Sequence, residues 1–559
     1  MKKLLYLLTV LIVGMACKNE PKPKVEDIIL WEPYNDSAEV AANQDHEKAR
    51  MQYKLIQSKV LDKNEVFRPL YPEVAEFSET DYETLKPLIL EQNIPAIQIQ
   101  VASGKLTYEK IVLFYLYRIY TYELDNSTTL NTVIALNENV LEEAREKDMA
   151  IQKDPSKDRS PLFGMPILLK DNINTAGMRT TAGAIAFENN RNTEDGFIVS
   201  QLKKNGALIL GKVNLSEWAY YLCRGCPVGY SAIGGQTLNP YGRRVFETGG
   251  SSSGSGTATA ANYAVAAVGT ETSGSILSPS SQNSVVGLKP TIGLLSRTGI
   301  VPISSTLDTP GPMTRNIVDN AILLGAMTGK DPSDNKSVDA PSDYLSGILE
   351  GAVLRGKRLG AIQPLVESDS LYAATVEKLR ELGAEVVAFT PPEVQMDGFL
   401  TLLNMDMKAD LPVYIRTQVK DTLDVQVRNV ADVVAFNLQD TVLRVPYGQA
   451  LFEGIINDST TTMELEQIKA SLEANGRQYF DQAMDEFELD AVLSINNYHA
   501  GYAAVAKYPA LTVPMGYRAS GDPVSLTFIA KPFEEQKLLQ LGYAYERATQ
   551  VRKTPEMYP

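Results

Sequence analysis

The residues best suited to chemistry lie between Gly249 and Pro290. There Gly249-Gly250-Ser251-Ser252-Ser253-Gly254-Ser255-Gly256 leads through the small-residue run Thr257–Gly269 to Thr272-Ser273-Gly274-Ser275. Hydroxyls set among glycine, alanine and threonine have nothing bulky to shield them, and serine is the nucleophile that such a setting offers. A serine nucleophile needs a base to take its proton. With only 2 histidines in 559 residues, His46 and His499, imidazole is scarce, and lysine is the substitute that the composition supplies.

Simpler serine patterns compete with that reading. Gly250-Ser251-Ser252-Ser253-Gly254 fits the nucleophile elbow G-x-S-x-G, which would make Ser252 the nucleophile and His499 its base. The elbow needs an apolar strand before it, and Arg243–Thr248 is a poor one. Ser200-Gln201-Leu202-Lys203 fits S-x-x-K and Ser333-Asp334-Asn335 fits S-D-N. No Lys-Thr-Gly follows, and Ile198–Leu208 has the pattern of an ordinary amphipathic helix. Gly325–Lys330 is one residue short of a phosphate loop. Cys223-Arg224-Gly225-Cys226 suits a local disulfide, since neither a thioredoxin-like setting nor two further zinc ligands accompany it. No metal site and no cofactor are expected.

The elements that must position these residues alternate along the chain. Pro166–Leu169 and Ala207–Gly211 are short apolar strands, running into Lys170 and Lys212 respectively. Arg358–Ile362, Leu371–Leu382 and Glu385–Phe389 form a strand–helix–strand unit suited to a parallel pair. Glu79–Ala150 reads as helices, one of them starting at Thr107, and a further helix-like stretch covers Glu47–Val60. Leu400–Met484 is mostly helical, and Ala491–Ser494, Ala510–Val513 and Val524–Ile529 are strands. The expected fold is α/β, a single large domain whose mixed central sheet is covered by helices on both faces.

The first residues read as a targeting segment. Lys2-Lys3, the apolar run Leu4–Val13 and Gly14-Met15-Ala16-Cys17 resemble a bacterial lipoprotein signal, which makes Cys17 the lipid anchor. The apolar run is far short of the roughly twenty residues that span a bilayer. The expected organisation is a signal peptide over 1–16, a tether and helical extension over 17–74, and the main domain over 75–559. A net charge of -15 argues against nucleic acid as a partner.

Taken together, Gly249–Pro290, Phe163–Asn172, Arg297-Thr298-Gly299, Leu307–Met313, Tyr508–Pro514 and Lys531-Pro532-Phe533 resemble the amidase signature family of serine hydrolases. Gly269–Thr272 and Ser284–Gly287 are nearest in wording to its peptide amidase branch. The resemblance implies that Ser275 is the nucleophile, Ser251 the cis-serine that relays protons, and Lys170 the base. It implies an oxyanion hole of the backbone amides of Thr272, Ser273, Gly274 and Ser275. The apolar wall before Lys170 would favour a neutral amine, whereas pairing with Asp171 would hold it charged. Two positions depart from the common family wording: Ser273 replaces a glycine, and Leu277 replaces an arginine.

The implied activity is hydrolysis of carboxamide C–N bonds by an exported, lipid-anchored enzyme at a bacterial membrane, facing the periplasm or the outer surface. The implied substrate is a small-molecule or peptide amide. A ligand-binding lipoprotein on the same fold is the main alternative. An amidotransferase subunit is a third reading, opposed by the N-terminal signal.

Overall fold

The computed structural model describes residues 28–420 and 423–559; the targeting segment and Cys17 lie outside the described residues. In chain order the strands are β1 (Val133–Leu136), β2 (Pro166–Lys170), β3 (Leu208–Val213), β4 (Tyr230–Ser231), β5 (Gly235–Gln236) and β6 (Ala266–Glu271). They continue with β7 (Val286–Lys289), β8 (Thr309–Thr314), β9 (Arg358–Ile362), β10 (Glu385–Phe389), β11 (Ala491–Ile495), β12 (Ala510–Tyr517) and β13 (Pro523–Ile529). β4 and β5 form a small hairpin. The others make one sheet in the order β1-β3-β2-β6-β8-β7-β12-β13-β11-β9-β10. It is mixed: β2 runs parallel to both β3 and β6, and β9 parallel to both β10 and β11, while the remaining pairs are antiparallel. The molecule is a single α/β domain with helices flanking this sheet.

Most strand runs that read as apolar in sequence are buried on both faces; β10, at the sheet edge, is not. All five residues of β2 and all six of β3 are buried, as a central parallel strand between helical layers must be. Within the large sheet β1, β7 and β8 escape sequence reading. β1 lies inside a stretch with a helical pattern, at the sheet edge. β8 contains Pro310 and Pro312, residues that normally argue against a central strand, yet it runs between β6 and β7.

The expected helix over Glu47–Val60 does not form; only the turn Ala49–Met51 is helical there. Its backbone is claimed by other segments. Asp36 Oδ2 accepts from the N–H groups of Ile56 and Gln57 at 3.2 and 3.1 Å, and the Ile56 carbonyl accepts from Gln236 N–H at 2.8 Å. From Met51 on, the segment read as tether and extension contributes to the main core. Ile56, Phe67, Leu70 and Val74 are buried in the same cluster as Ile167 and Leu168. Above the sheet a second apolar cluster gathers Phe187 and Trp218 with helices Phe399–Gln418, Val430–Asn437 and Ala450–Asn457.

Candidate active site

Register brings the candidate lysine to the serines. β2 and β6 are parallel neighbours with Leu169 opposite Val268, so both strands end at the same edge, and the Lys170 side chain reaches Thr270 near the end of β6. In parallel sheets the crevice beyond the carboxyl ends of the strands is where ligands bind. Helix Ser253–Ala260 crosses behind this edge. Its residues are all buried, and its small side chains let backbone meet backbone: Gly254 N–H donates to the Asn214 carbonyl at 3.0 Å.

Lys170 is fully buried, and its Nζ makes three short contacts, all to uncharged oxygens. They are Ser251 Oγ at 2.6 Å, Thr270 Oγ1 at 2.8 Å and the Thr270 carbonyl at 3.1 Å. Burial pushes its pKa down to about 7, against the opposing pull of the Asp308 and Glu271 carboxylates. Asp171, its sequence neighbour, does not pair with it. Successive residues leaving a strand point to opposite faces, and Asp171 meets Lys212 of β3 at 3.1 Å instead.

Ser251 follows a cis peptide bond from Gly250. Its carbonyl accepts from Ser216 N–H at 3.0 Å, and the next amide, Ser252 N–H, donates to the Ser275 carbonyl at 3.1 Å. Gly249, at φ +67, has no room for a side chain, since a Cβ there would stand 2.6 Å from the Pro279 nitrogen. Thus the Ser251 segment and the Ser275 segment are tied together. Ser275 itself is 9% exposed, and its hydroxyl has no protein partner among the described residues.

The elbow reading fails on geometry. Ser252 is fully buried, with its hydroxyl donating to the Thr270 carbonyl at 2.9 Å and accepting from the Thr270 N–H at 3.1 Å. His499 is engaged elsewhere: its Nδ1 is 2.6 Å from Ser494 Oγ, its ring stacks on Tyr479, and burial pushes its pKa down to about 4. Ser200 and Lys203 lie on helix Phe197–Lys204, and Lys203 pairs with Asp195 at 2.8 Å. Asp334 of the S-D-N run pairs with Arg297.

The loop before Ser275 turns around the Glu271 carboxylate. Oε1 accepts from Gly274 N–H at 2.7 Å, and Oε2 from Ile276 and Leu277 N–H at 2.7 and 3.0 Å. This corrects the expected four-amide oxyanion set. The single proton of the Gly274 amide is spent on Glu271, leaving the N–H groups of Thr272, Ser273 and Ser275 without protein acceptors among the described residues. Thr272 Oγ1 donates to Asp308 Oδ1 at 2.5 Å, and Asp308 Oδ2 accepts from Ile303 and Ser304 N–H at 2.8 and 2.9 Å. That brace holds the loop from its other side.

Thr270, Glu271, Asp308 and Asn172, whose Nδ2 donates to Thr270 Oγ1 at 3.0 Å, were not singled out as site residues from the sequence. The available signal was a hydroxyl and an acid directly before the Thr-Ser-Gly-Ser run. Cys223 and Cys226 are joined in a disulfide within the loop between Ser216 and Gly229. Among the described residues no three or more His, Cys, Asp or Glu side chains are grouped to hold a metal ion, and no helix is long and apolar enough to cross a membrane.

The site thus brings together a buried lysine that faces uncharged oxygens and two tied segments carrying Ser251 and Ser275, beyond the carboxyl ends of β2 and β6. The Amidase family profile matches residues 110–501. An amidase family protein from Bacillus anthracis is 36% identical, with a TM-score of 0.83, covering 90% of this chain and 99% of that one. The native peptide amidase from Stenotrophomonas maltophilia is 37% identical, with a TM-score of 0.77, covering 84% of this chain and 99% of that one. A probable amidase of Arabidopsis thaliana is 35% identical over 84% of this chain and 92% of its own length. The chain belongs to the amidase family, and it is an enzyme, a hydrolase of amide C–N bonds.

Proposed function

We propose that hydrolysis runs through an acyl-enzyme on Ser275, with Lys170 as base and Ser251 as proton relay. The observation that carries this reading is Lys170 Nζ, buried 2.6 Å from Ser251 Oγ with no carboxylate bonded to it among the described residues. A neutral amine has two N–H donors and one lone pair. The Thr270 carbonyl and Thr270 Oγ1 take the two protons, which leaves the lone pair toward the Ser251 hydroxyl. Ser251 gives its proton to Lys170 and takes that of Ser275 as Ser275 Oγ attacks the carbonyl carbon. The free amides of Thr272, Ser273 and Ser275 receive the oxyanion, a contribution of several kcal/mol when such donors are fixed in advance. The proton then returns through Ser251 to the leaving amine, and water hydrolyses the ester by the same steps.

The substrate class proposed is small or peptide amides, supported by the likeness to the Stenotrophomonas maltophilia peptide amidase. Nucleic acid is no partner on this reading, consistent with the net charge of -15. Export and lipid anchoring through Cys17, at the periplasmic or outer surface of a bacterial membrane, complete the proposal. They rest on the order of basic, apolar and small residues before that cysteine. Membrane-fraction enzyme that becomes soluble as Cys17→Ala supports the anchor, and cytosolic full-length enzyme retaining Met1 refutes it.

The test of the chemistry is labelling by a fluorophosphonate probe, in competition with peptide, fatty and aryl amides. Ser275→Ala is expected to abolish labelling and hydrolysis with the fold retained, and peptide amides are expected to compete best. Labelling that persists in Ser275→Ala and disappears in another serine variant would move the nucleophile.

A further inference from the structure

Where the chain leaves β11 it makes a turn, Asn496–His499, that packs against the loop carrying the candidate nucleophile. A Cβ on Gly274 would stand 3.0 Å from Asn497 Nδ2, and one on Gly501 would stand 3.9 Å from Ser273 Oγ. Gly274, at φ +83, therefore does two things: it allows the left-handed turn and leaves space for Asn497. The turn is held firmly. Asn496 N–H donates to the Ser525 carbonyl at 2.9 Å, Asn496 Oδ1 accepts from Ser525 N–H at 2.8 Å, and the Asn496 carbonyl accepts from Thr527 Oγ1 at 2.5 Å. His499 is fixed by Ser494 and Tyr479. Ala500 N–H donates to the Asn497 carbonyl at 3.1 Å, starting helix Ala500–Ala506.

Amid these paired groups the Asn497 carboxamide has no hydrogen-bond partner among the described residues. It is half-buried, like Ser273 beside it, so both stand where this loop meets solvent. Adjacent Cα atoms are about 3.8 Å apart, which places this amide about one residue's reach from Ser275. A primary carboxamide offers an acceptor and two donors in one plane, the complement of the N–H and C=O of a peptide group.

Resting on the amidase reading above, we infer that Asn497 is a specificity-determining residue. It pairs with the acylamino group on the carbon next to the scissile carboxamide, and so selects N-acylated amino-acid and peptide amides over simple carboxamides. Binding exchanges the waters on Asn497 for a peptide group of matching polarity. A substrate without that group leaves a half-buried amide unpaired in the complex, and sites built to pair polar groups discriminate in this way.

The experiment compares kcat/KM for N-acetyl-leucinamide and 4-methylpentanamide, which has the same carbon chain without the acetamido group. Wild type is expected to favour the first by about tenfold or more. In Asn497→Ala and the similar-sized Asn497→Leu that preference is expected to collapse toward unity, with thermal melts near wild type. An unchanged ratio, or equal losses on both substrates, overturns the inference: equal losses would mean that Asn497 serves the oxyanion or the loop. Wild type that hydrolyses neither amide overturns the carboxamidase reading along with it, whereas hydrolysis of both without preference overturns the inference alone.

Discussion

Two buried lysines on adjacent parallel strands, Lys170 and Lys212, are both fully inaccessible and lie one register step apart, with Leu169 opposite Lys212. Burial lowers both pKa values. They differ in what they face. Lys212 meets the Asp171 carboxylate, with Thr180 Oγ1 at 3.0 Å and the Arg179 carbonyl at 3.3 Å also accepting from its Nζ, so a partner of opposite charge compensates its own. Lys170 meets three uncharged oxygens, and its nearest carboxylates act only at a distance. One lysine is held as half of an ion pair; the other is free to be neutral. The alternation of side chains across β2 makes the difference, sending Asp171 to the face of Lys212 and away from Lys170.

The largest effect should separate the two by activity. Lys170→Ala is expected to lower kcat/KM on amides by about a thousandfold, within the range that a positioned general base contributes, with folding retained. Esters should lose less, because an alkoxide leaves with less help from a proton than an amine does. Steady-state kinetics on a matched amide and ester check both statements, and equal losses on the two would break the base assignment.

Lys212→Met should do the reverse. Removing one member of a buried pair strands the other charge, at a cost of about 3–5 kcal/mol, so denaturant melts should shift strongly. The folded fraction should keep the wild-type pH dependence. A changed pH limb with little loss of stability would erase the distinction between the two lysines.

A smaller effect sharpens the account of what keeps Lys170 neutral. Thr270→Val removes Oγ1, one of three acceptors available to an ammonium, at nearly constant volume. The charged form then loses more than the neutral one, so the pH limb of the rate should move to lower pH. The plateau rate should fall by about tenfold as the amine is held less firmly. A limb displaced upward contradicts the proposed hydrogen-bond arrangement.

The sequence displayed much of the scaffold because its central strands are short apolar runs with little ambiguity; β9, and the edge strand β10 beside it, begin and end where the pattern predicts. β8 was hidden by its prolines and β1 by an amphipathic pattern shared with helices. Lys170, Ser251 and Ser275 were singled out by a resemblance spread over several ordered motifs, and the structure brings Lys170 Nζ to Ser251 Oγ and ties the Ser251 segment to that of Ser275. The role of Thr270 was not, because it arises from the register of β2 against β6, a contact between residues 100 positions apart. Nor was the loss of the Gly274 amide, which depends on the Glu271 side chain folding back onto its own loop. Motif wording names the groups present; which donors remain free is decided by packing.

The most direct test of the central claim, that Lys170 is neutral and takes the proton of Ser275 through Ser251, is the pH dependence of fluorophosphonate labelling at Ser275. Lowering the lysine pKa from 10.5 to about 7 means that the reactive, deprotonated form is populated as pH rises through that value. The labelling rate in wild type should therefore climb about tenfold per pH unit below 7 and level off above about 8. In Lys170→Ala this limb should be absent and the remaining rate low. A wild-type limb centred near 10, or the same limb at the same rate in Lys170→Ala, would contradict the account.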